Sequence, residues 1–430
     1  MKETITLKLR IKFKNNNLTF SGSGKFKIDK DFEEIDYSIE KKENNINFNT
    51  NLNIKKTKFQ IDNINYKKKD KSEMYLQING ELKNNKNLNL NNFIINEENN
   101  NIKIKNLSLN VYNQIVKIDQ AYFNYVDTEN KKNNYNIKKI KGQKYLIDGT
   151  SFNANSLISN LLDSDDKKQN NLFESNLSMD LNFEEVYLDK TYFVKDLKGK
   201  INIINNKVKE ADIVAFYNNS QNIKFTIRTN KQGEKITTLF SSKAKPFVDR
   251  YKFIKDFEDG KEGYLDFSSL NNDGVSTSKL VIDNFKVKEI PVLAKLLALA
   301  SLQGLADLLT GEGIRFTDFE MNFTNQDKLM KIQELYVIGP AISILLEGYI
   351  QEDELVSLRG TLVPATTINR SIASIPLLGD LLIGKKVGDG VFGVSFKIKG
   401  PPNQLETTVN PIKTLTPRFI TRTLEKIKKN

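Results

Sequence analysis

The 430-residue chain contains no cysteine, no histidine and no tryptophan. Without cysteine there is no disulfide framework, no redox motif and no thiolate nucleophile, which is compatible with cytosol and periplasm alike. Without histidine the commonest general base is missing, and with both absent so are the usual ligands of zinc, copper, haem and iron-sulfur clusters. Most enzyme classes lose their chemistry on these grounds, and neither an enzymatic role nor a cofactor is expected. Long hydrophobic runs are scarce too. The longest, Ile290 to Leu309, carries Lys295, Gln303 and Asp307 and is broken by Gly304, which a membrane-spanning helix is expected to avoid. The opening Met1-Lys2-Glu3-Thr4 leads straight into alternating text, so neither a signal peptide nor a transmembrane segment is expected.

What is present is alternation. Ile5, Leu7, Leu9, Ile11 and Phe13 fall on one face of an extended chain, with Thr4, Thr6, Lys8, Arg10, Lys12 and Lys14 on the other, and this period of two predicts half-buried strands. It recurs through the first two thirds, for example at Phe48 and Leu52, at Leu76 and Ile78, at Leu177, Met179, Leu181 and Phe183, and at Phe225. Ile102 and Ile104 read as one strand, and Leu107, Leu109 and Val111 as another. Asn, Lys, Asp and Gly fill the expected loops. Lys plus Arg number 65 against 53 acidic residues, a net charge of +12. The cations follow the wet face of the strands, so nucleic acid is not an expected partner.

A sheet with one continuous apolar face must pack, be covered or curl. Few helices are expected before residue 245, so the predicted fold is mainly β: an elongated antiparallel sheet curled into a taco-like hydrophobic groove. Gly22, Gly24 and Gly80 on the apolar face allow bending or close approach. Short helices are expected in the C-terminal third, near 246–258 (ended by Gly260), 290–310 and 366–383, the last interrupted by Pro376 and Gly379. Asp163 to Lys168 reads as an exposed loop and lacks the spacing of a calcium loop, so no metal site is expected.

From about residue 145 a series of fragments stands in a telling order: Gly149 to Leu162, Ser242 to Phe247, Ile282-Asp283-Asn284-Phe285, Ile290 to Ala294, Gly311 to Phe316, Gly339-Pro340-Ala341-Ile342, Gly360 to Ala365, Ile375 to Leu382 and Val409-Asn410-Pro411. In these the chain resembles the C-terminal region of the AsmA-like bacterial proteins, the YhdP type in particular and TamB more loosely. Residues 1–145 match only in texture, which suggests a division into an N-terminal repetitive β-segment (1–145) and an AsmA-like region (146–430). The resemblance implies a periplasmic protein associated with the inner membrane that helps phospholipid reach the outer membrane through an apolar groove. An anchor helix, which it also implies, is not expected in this sequence.

The candidate groove lining is therefore Ile5, Leu7, Leu9, Ile11, Phe13, Phe48, Leu52, Leu76, Ile78, Leu177, Met179, Leu181, Phe183, Phe225, Ile342, Ile344 and Leu346. A candidate C-terminal tip, able to touch a bilayer or an envelope protein, comprises Leu293, Leu296, Leu297, Leu377, Leu378, Leu381 and Leu382; core packing is its plainer role. Phospholipid acyl chains are the expected ligand. A rival expectation is a structural or outer-membrane assembly factor that binds protein along its sheet edge. The carboxylate pairs Glu33–Glu34 and Glu97–Glu98 sit in polar, loop-like text with no catalytic partner in reach.

Overall fold

A computed structural model of the chain describes residues 7–14, 17–84, 86–162, 176–205, 207–252, 254, 256–288, 296, 313–364 and 393–412. It is mainly β: 24 strands belong to a mixed, unclosed sheet and two form a small separate ribbon. The chain divides into two compact units, Met1–Ser220 and Gln221–Asn430. The boundary expected at 145/146 falls inside a strand.

In the first unit β1 (Leu7–Lys14), β2 (Asn17–Ile28), β3 (Asp31–Lys42) and β4 (Asn45–Ile54) are joined as antiparallel hairpins. The ribbon of β5 (Gln60–Ile61) and β6 (Tyr66–Lys67) follows, and β7 (Met74–Lys83), β8 (Asn87–Glu97) and β9 (Asn100–Leu109) continue the sheet. β10 (Ile115–Lys117) and β11 (Gln120–Val126) both pair with β9, and β12 (Lys132–Lys141) and β13 (Lys144–Asn153) come next. Helix α1 (Asn155–Leu162) then leaves the sheet, and β14 (Leu177–Tyr187) returns parallel to β13. β15 (Phe193–Ile204) and β16 (Lys207–Phe216) are antiparallel again.

The parallel pair makes the sheet mixed, an exception within the mostly antiparallel sheet that was expected. Parallel neighbours need a crossover rather than a hairpin, and α1 lies in that connection. Its signal was present in the four-residue spacings Leu157/Leu161 and Ile158/Leu162, which fit a helix face rather than a strand.

The second unit is an antiparallel meander of β17 (Asn222–Thr229), β18 (Lys235–Ser241), β19 (Phe257–Asn272), β20 (Val275–Val287), β21 (Ile314–Gln326), β22 (Leu329–Ile338), β23 (Ile342–Gln351), β24 (Leu355–Pro364), β25 (Gly393–Gly400) and β26 (Glu406–Ile412). Helix α2 (Lys245–Tyr251) packs on β19. It is shorter than the expected 246–258 because Lys252 adopts φ 53° and returns its amide to the Val248 carbonyl, closing the helix well before Gly260. Phe257 is consequently a strand residue, paired with Val287. The expected helix at 366–383 lies outside the described residues, as does that at 290–310 apart from Leu296.

The turns explain the Asn- and Asp-rich loops. Asp29, Asn84, Asn205, Asp273, Asp327 and Asp353 all hold positive φ, a region that these short polar side chains tolerate better than most. Asp273-Gly274, with both residues at positive φ, closes the β19–β20 hairpin.

Alternation does not persist at a strict period of two. On β9 the apolar face passes from Ile102 and Ile104 to Leu107 and Leu109, with Asn106 between them at φ 51°. The two expected strands are therefore one, and Val111 lies exposed in the turn beyond it. β8 changes parity opposite this point, between Leu90 and Phe93. A second break runs through Gly149/Phe152, Phe183/Val186 and Leu197/Val194, where Asp196 sits at φ 50°. Irregularities of this kind bend and twist the strands that carry them.

The core of the second unit is an aromatic stack of Phe257, Phe285 and Phe316, with ring centroids 5.2 and 5.4 Å apart, covered by Val248 of α2 and joined by Leu296. Leu296, a candidate tip residue, is 4 % exposed and belongs to this cluster.

Candidate apolar binding face

Directly opposed residues on neighbouring strands share a face, so strand register shows which apolar residues form rows. In the first unit one row crosses from Ile35 through Leu52, Leu76, Ile95 and Ile102 to Phe123. It continues through Tyr135 and Gly149 to Phe183 and Leu197. Two residues along each strand, a second row joins Tyr37, Thr50, Ile78, Phe93 and Ile104, then Ala121, Ile137, Ile147 and Leu181. A third contains Ile11, Phe20, Ile39, Phe48, Gly80 and Leu90. Met179 stands between Tyr145 and Ile201, and Leu177 opposite Ile203.

Gly80 shows why a glycine interrupts the third row. A Cβ there would lie 2.1 Å from the Asn89 carbonyl oxygen, where β8 carries an extra residue relative to β7. The glycine admits close backbone approach.

In the second unit Phe225, Leu239, Phe267, Leu280 and Met321 are in register, followed by Leu335 and Leu346. Leu265, Ile282, Phe319, Val337, Ile344 and Leu362 form the adjacent row. Ile342 is fully buried at the strand end.

Burial is graded along the strands of the first unit. The first row is closed from Leu76 to Phe183 except at Gly149, with Ile95 and Ile102 wholly buried, and opens again at Leu197. In the second row Tyr37, Ile78, Phe93, Ile104 and Leu181 are only half-buried, and in the third Ile11 is 57 % exposed. The face is thus sealed along the strap rim and partly reachable in the second row and on β1–β4, while Gly80, Leu90, Tyr145 and Leu177 are closed.

The sealed rim is built by Lys55–Glu73, which connects β4 to β7 as a strap. Tyr66 of the strap is 1 % exposed and packs edge-on against Tyr125 at 5.9 Å and Phe59 at 6.4 Å. Two buried carboxylates, on strands rather than in loops as expected, hold the strap. Glu33 on β3 accepts the amides of Lys55, Lys56 and Thr57 at 2.8, 2.8 and 2.6 Å. Glu97, wholly buried, accepts Tyr66 Oη at 2.8 Å and Asn100 Nδ2 at 3.0 Å on one oxygen, and the Lys69 amide at 2.7 Å and Ser72 Oγ on the other. Tyr125 Oη donates to the Ile64 carbonyl at 2.7 Å, and the Thr128 amide to that of Asn65 at 3.0 Å.

Burial pushes both carboxyls up, and the converging donors outweigh it: those of Ser72, Asn100, Tyr66 and the Lys69 amide for Glu97, and the strap amides for Glu33. Both carboxyls lie below their ordinary 4.5. Farther along the same rim Asp127 accepts the amides of Glu129 and Lys131 and the side chains of Asn133 and Asn153, while Glu129 receives Asn155 of α1.

The structure thus aligns the expected lining residues from Phe48 to Phe183 within the first unit and Phe225, Ile344 and Leu346 within the second. Leu7, Leu9 and Phe13 are placed by backbone register alone. Ile5, and the tip candidates Leu293, Leu297, Leu377, Leu378, Leu381 and Leu382, lie outside the described residues, as does Asp163–Lys168. The strap and its anchors were not anticipated, because a carboxylate gripping backbone amides more than 20 residues away has no local sequence signature. Among the described residues no group of three acidic side chains is placed to hold a metal ion, and no helix is long and apolar enough to cross a membrane. No protein-family model, curated protein or solved structure matches the chain.

Proposed function

We propose that the apolar face of each unit binds the acyl chains of phospholipid and that the protein acts without catalysis, as a conduit or scaffold for lipid movement in a bacterial cell envelope. The observation that carries this is the second row of the first unit, in register across successive strands, in which Tyr37, Ile78, Phe93, Ile104 and Leu181 are only half-buried while Ala121 is closed. An acyl chain of about 15 carbons costs on the order of 12 kcal/mol to expose to water, so a reachable apolar row offers a large relief, while the headgroup can remain hydrated. The AsmA-like resemblance supports the same reading, and with it a curled groove, periplasmic placement and an envelope partner.

The test is photo-crosslinking. A photoreactive residue at Leu52 or Leu181 should capture phospholipid in cells, whereas one at Asn49 on the polar face should not. Capture of protein alone at the apolar positions would instead favour an assembly factor. Replacing Ile78 by Asp should abolish lipid capture at Leu181, and Asn49→Asp should leave it intact.

A further inference from the structure

Resting on the reading that acyl chains occupy the apolar face, we infer that the first unit selects lipids with an anionic headgroup, held at the rim opposite the strap. That rim carries the partly exposed third row of β1–β4, from Ile11 to Phe48, and its cations stand there at the edge of the face, whereas Leu90, Tyr145 and Leu177 on later strands are closed. Lys41 is opposed to Leu18 and Ile46, so it lies on the apolar face itself, one step beyond Ile39. Lys139 continues the line of Tyr135 and Ile137 and is opposed to Tyr145. Lys42, Lys86, Lys141 and Lys207 are exposed in or beside the tight turns of the same rim.

The carboxylates of this rim are largely committed elsewhere. Glu81 pairs with Lys83 at 2.8 Å, Asp119 with Lys117 at 2.9 Å and Asp180 with Lys144 at 2.7 Å. Glu40 accepts Asn17 and Glu210 accepts Asn202, neutral amides that leave both carboxylate charges in place. Glu43, in a turn, is exposed. Among the described residues Lys41, Lys42, Lys86, Lys141 and Lys207 form no ion pair, so the rim keeps an excess of positive charge beside the apolar rows. At the opposite rim the apolar-face groups are acidic, Glu33 and Glu97 held under the strap and Asp127 beyond them. A diacyl lipid with its tails on the half-buried rows and a phosphate-bearing headgroup at Lys41 and Lys139 satisfies both features. A zwitterionic headgroup sets its own cation beside the phosphate, whereas an anionic one does not, a difference of about five-fold per lysine near the headgroup, offset in part at Lys139 by the neighbouring Asp119.

The experiment offers the purified full chain vesicles of phosphatidylcholine and phosphatidylglycerol with identical acyl chains, removes the vesicles, and quantifies the lipid that stays with the protein. The wild type should retain phosphatidylglycerol at least five-fold over phosphatidylcholine. Lys41→Gln with Lys139→Gln should bring the ratio toward one by lowering the phosphatidylglycerol retained. Should Lys139→Gln disturb folding, Lys42→Gln with Lys141→Gln in the turns should lower the ratio in the same direction. Inorganic phosphate at millimolar concentration should leave the retained lipid in place. Equal retention of the two lipids by the wild type overturns the headgroup inference and leaves acyl binding standing. Retention of neither lipid, including attraction to vesicles with nothing kept after their removal, overturns both. Displacement of the lipid by phosphate alone shows an anion site independent of the apolar face and overturns the inference.

Discussion

Replacing Glu97 by Gln tests whether the strap is a held element or a passive loop. Wild-type Glu97 serves four donors, two on each oxygen. Gln keeps one acceptor and turns an NH₂ toward the other pair. The Tyr66 hydroxyl can rotate to accept, but Asn100 cannot reverse its amide freely, because its Oδ1 accepts the Val126 amide at 3.1 Å. Hydrogen bonds to a charged group contribute about 1.5–3 kcal/mol each, and a buried donor left unpaired costs about 1–3 kcal/mol. A net loss of about 2–4 kcal/mol corresponds to roughly a 30- to 700-fold rise in the strap's open population. Lys67, Lys69 and Lys71 make the strap a trypsin target, and under conditions where cleavage follows the open population the variant should be cut faster by that factor. Glu98→Gln, which removes only the exposed pair with Lys69 at 2.8 Å, should change the rate less than about five-fold. Because both anchoring carboxyls are depressed in the fold, their contribution is present above the ordinary carboxylate range and fades as pH falls through and below 4.5. Protection of the strap should therefore decline in acid and not in mild alkali. A Glu97→Gln rate within three-fold of wild type, or protection that rises on acidification, would refute the anchoring argument.

Two further outcomes concern the sheets themselves. Phe285→Ala removes the middle ring of the second unit's stack, where Phe285 is 2 % exposed; it should cost about 3–5 kcal/mol in urea unfolding monitored on that unit, whereas Phe48→Ala, half-buried, should cost clearly less. Gly80→Ala forces its new methyl group against the Asn89 carbonyl and should destabilise the β7–β8 pair, read as faster hydrogen exchange there, while Ala at Gly142, whose Cβ would meet nothing within 4 Å, should show only the modest cost of its left-handed backbone.

The two-faced character of the strands was legible residue by residue, since alternation is a local consequence of extended backbone geometry: Ile78 with Asn49 across the sheet plane needs no knowledge of partners. The absence of histidine and cysteine excludes only chemistry that needs those side chains. Helix α1 was missed, though Leu157, Ile158, Leu161 and Leu162 carried its spacing, because the surrounding strand text outweighed eight residues. Glu33 and Glu97 read as loop carboxylates, because what makes them anchors is backbone that arrives from 22 to 28 residues away.

Sequence alone therefore determined that each strand has one greasy and one wet side, for the steric reason that successive side chains of an extended chain point oppositely. Tertiary structure decided which greasy residues meet in rows, where Asn106 and Asp196 shift the alternation, and which rim is sealed. Those outcomes depend on register and on hydrogen bonds between distant segments, and no single stretch of the chain contains them.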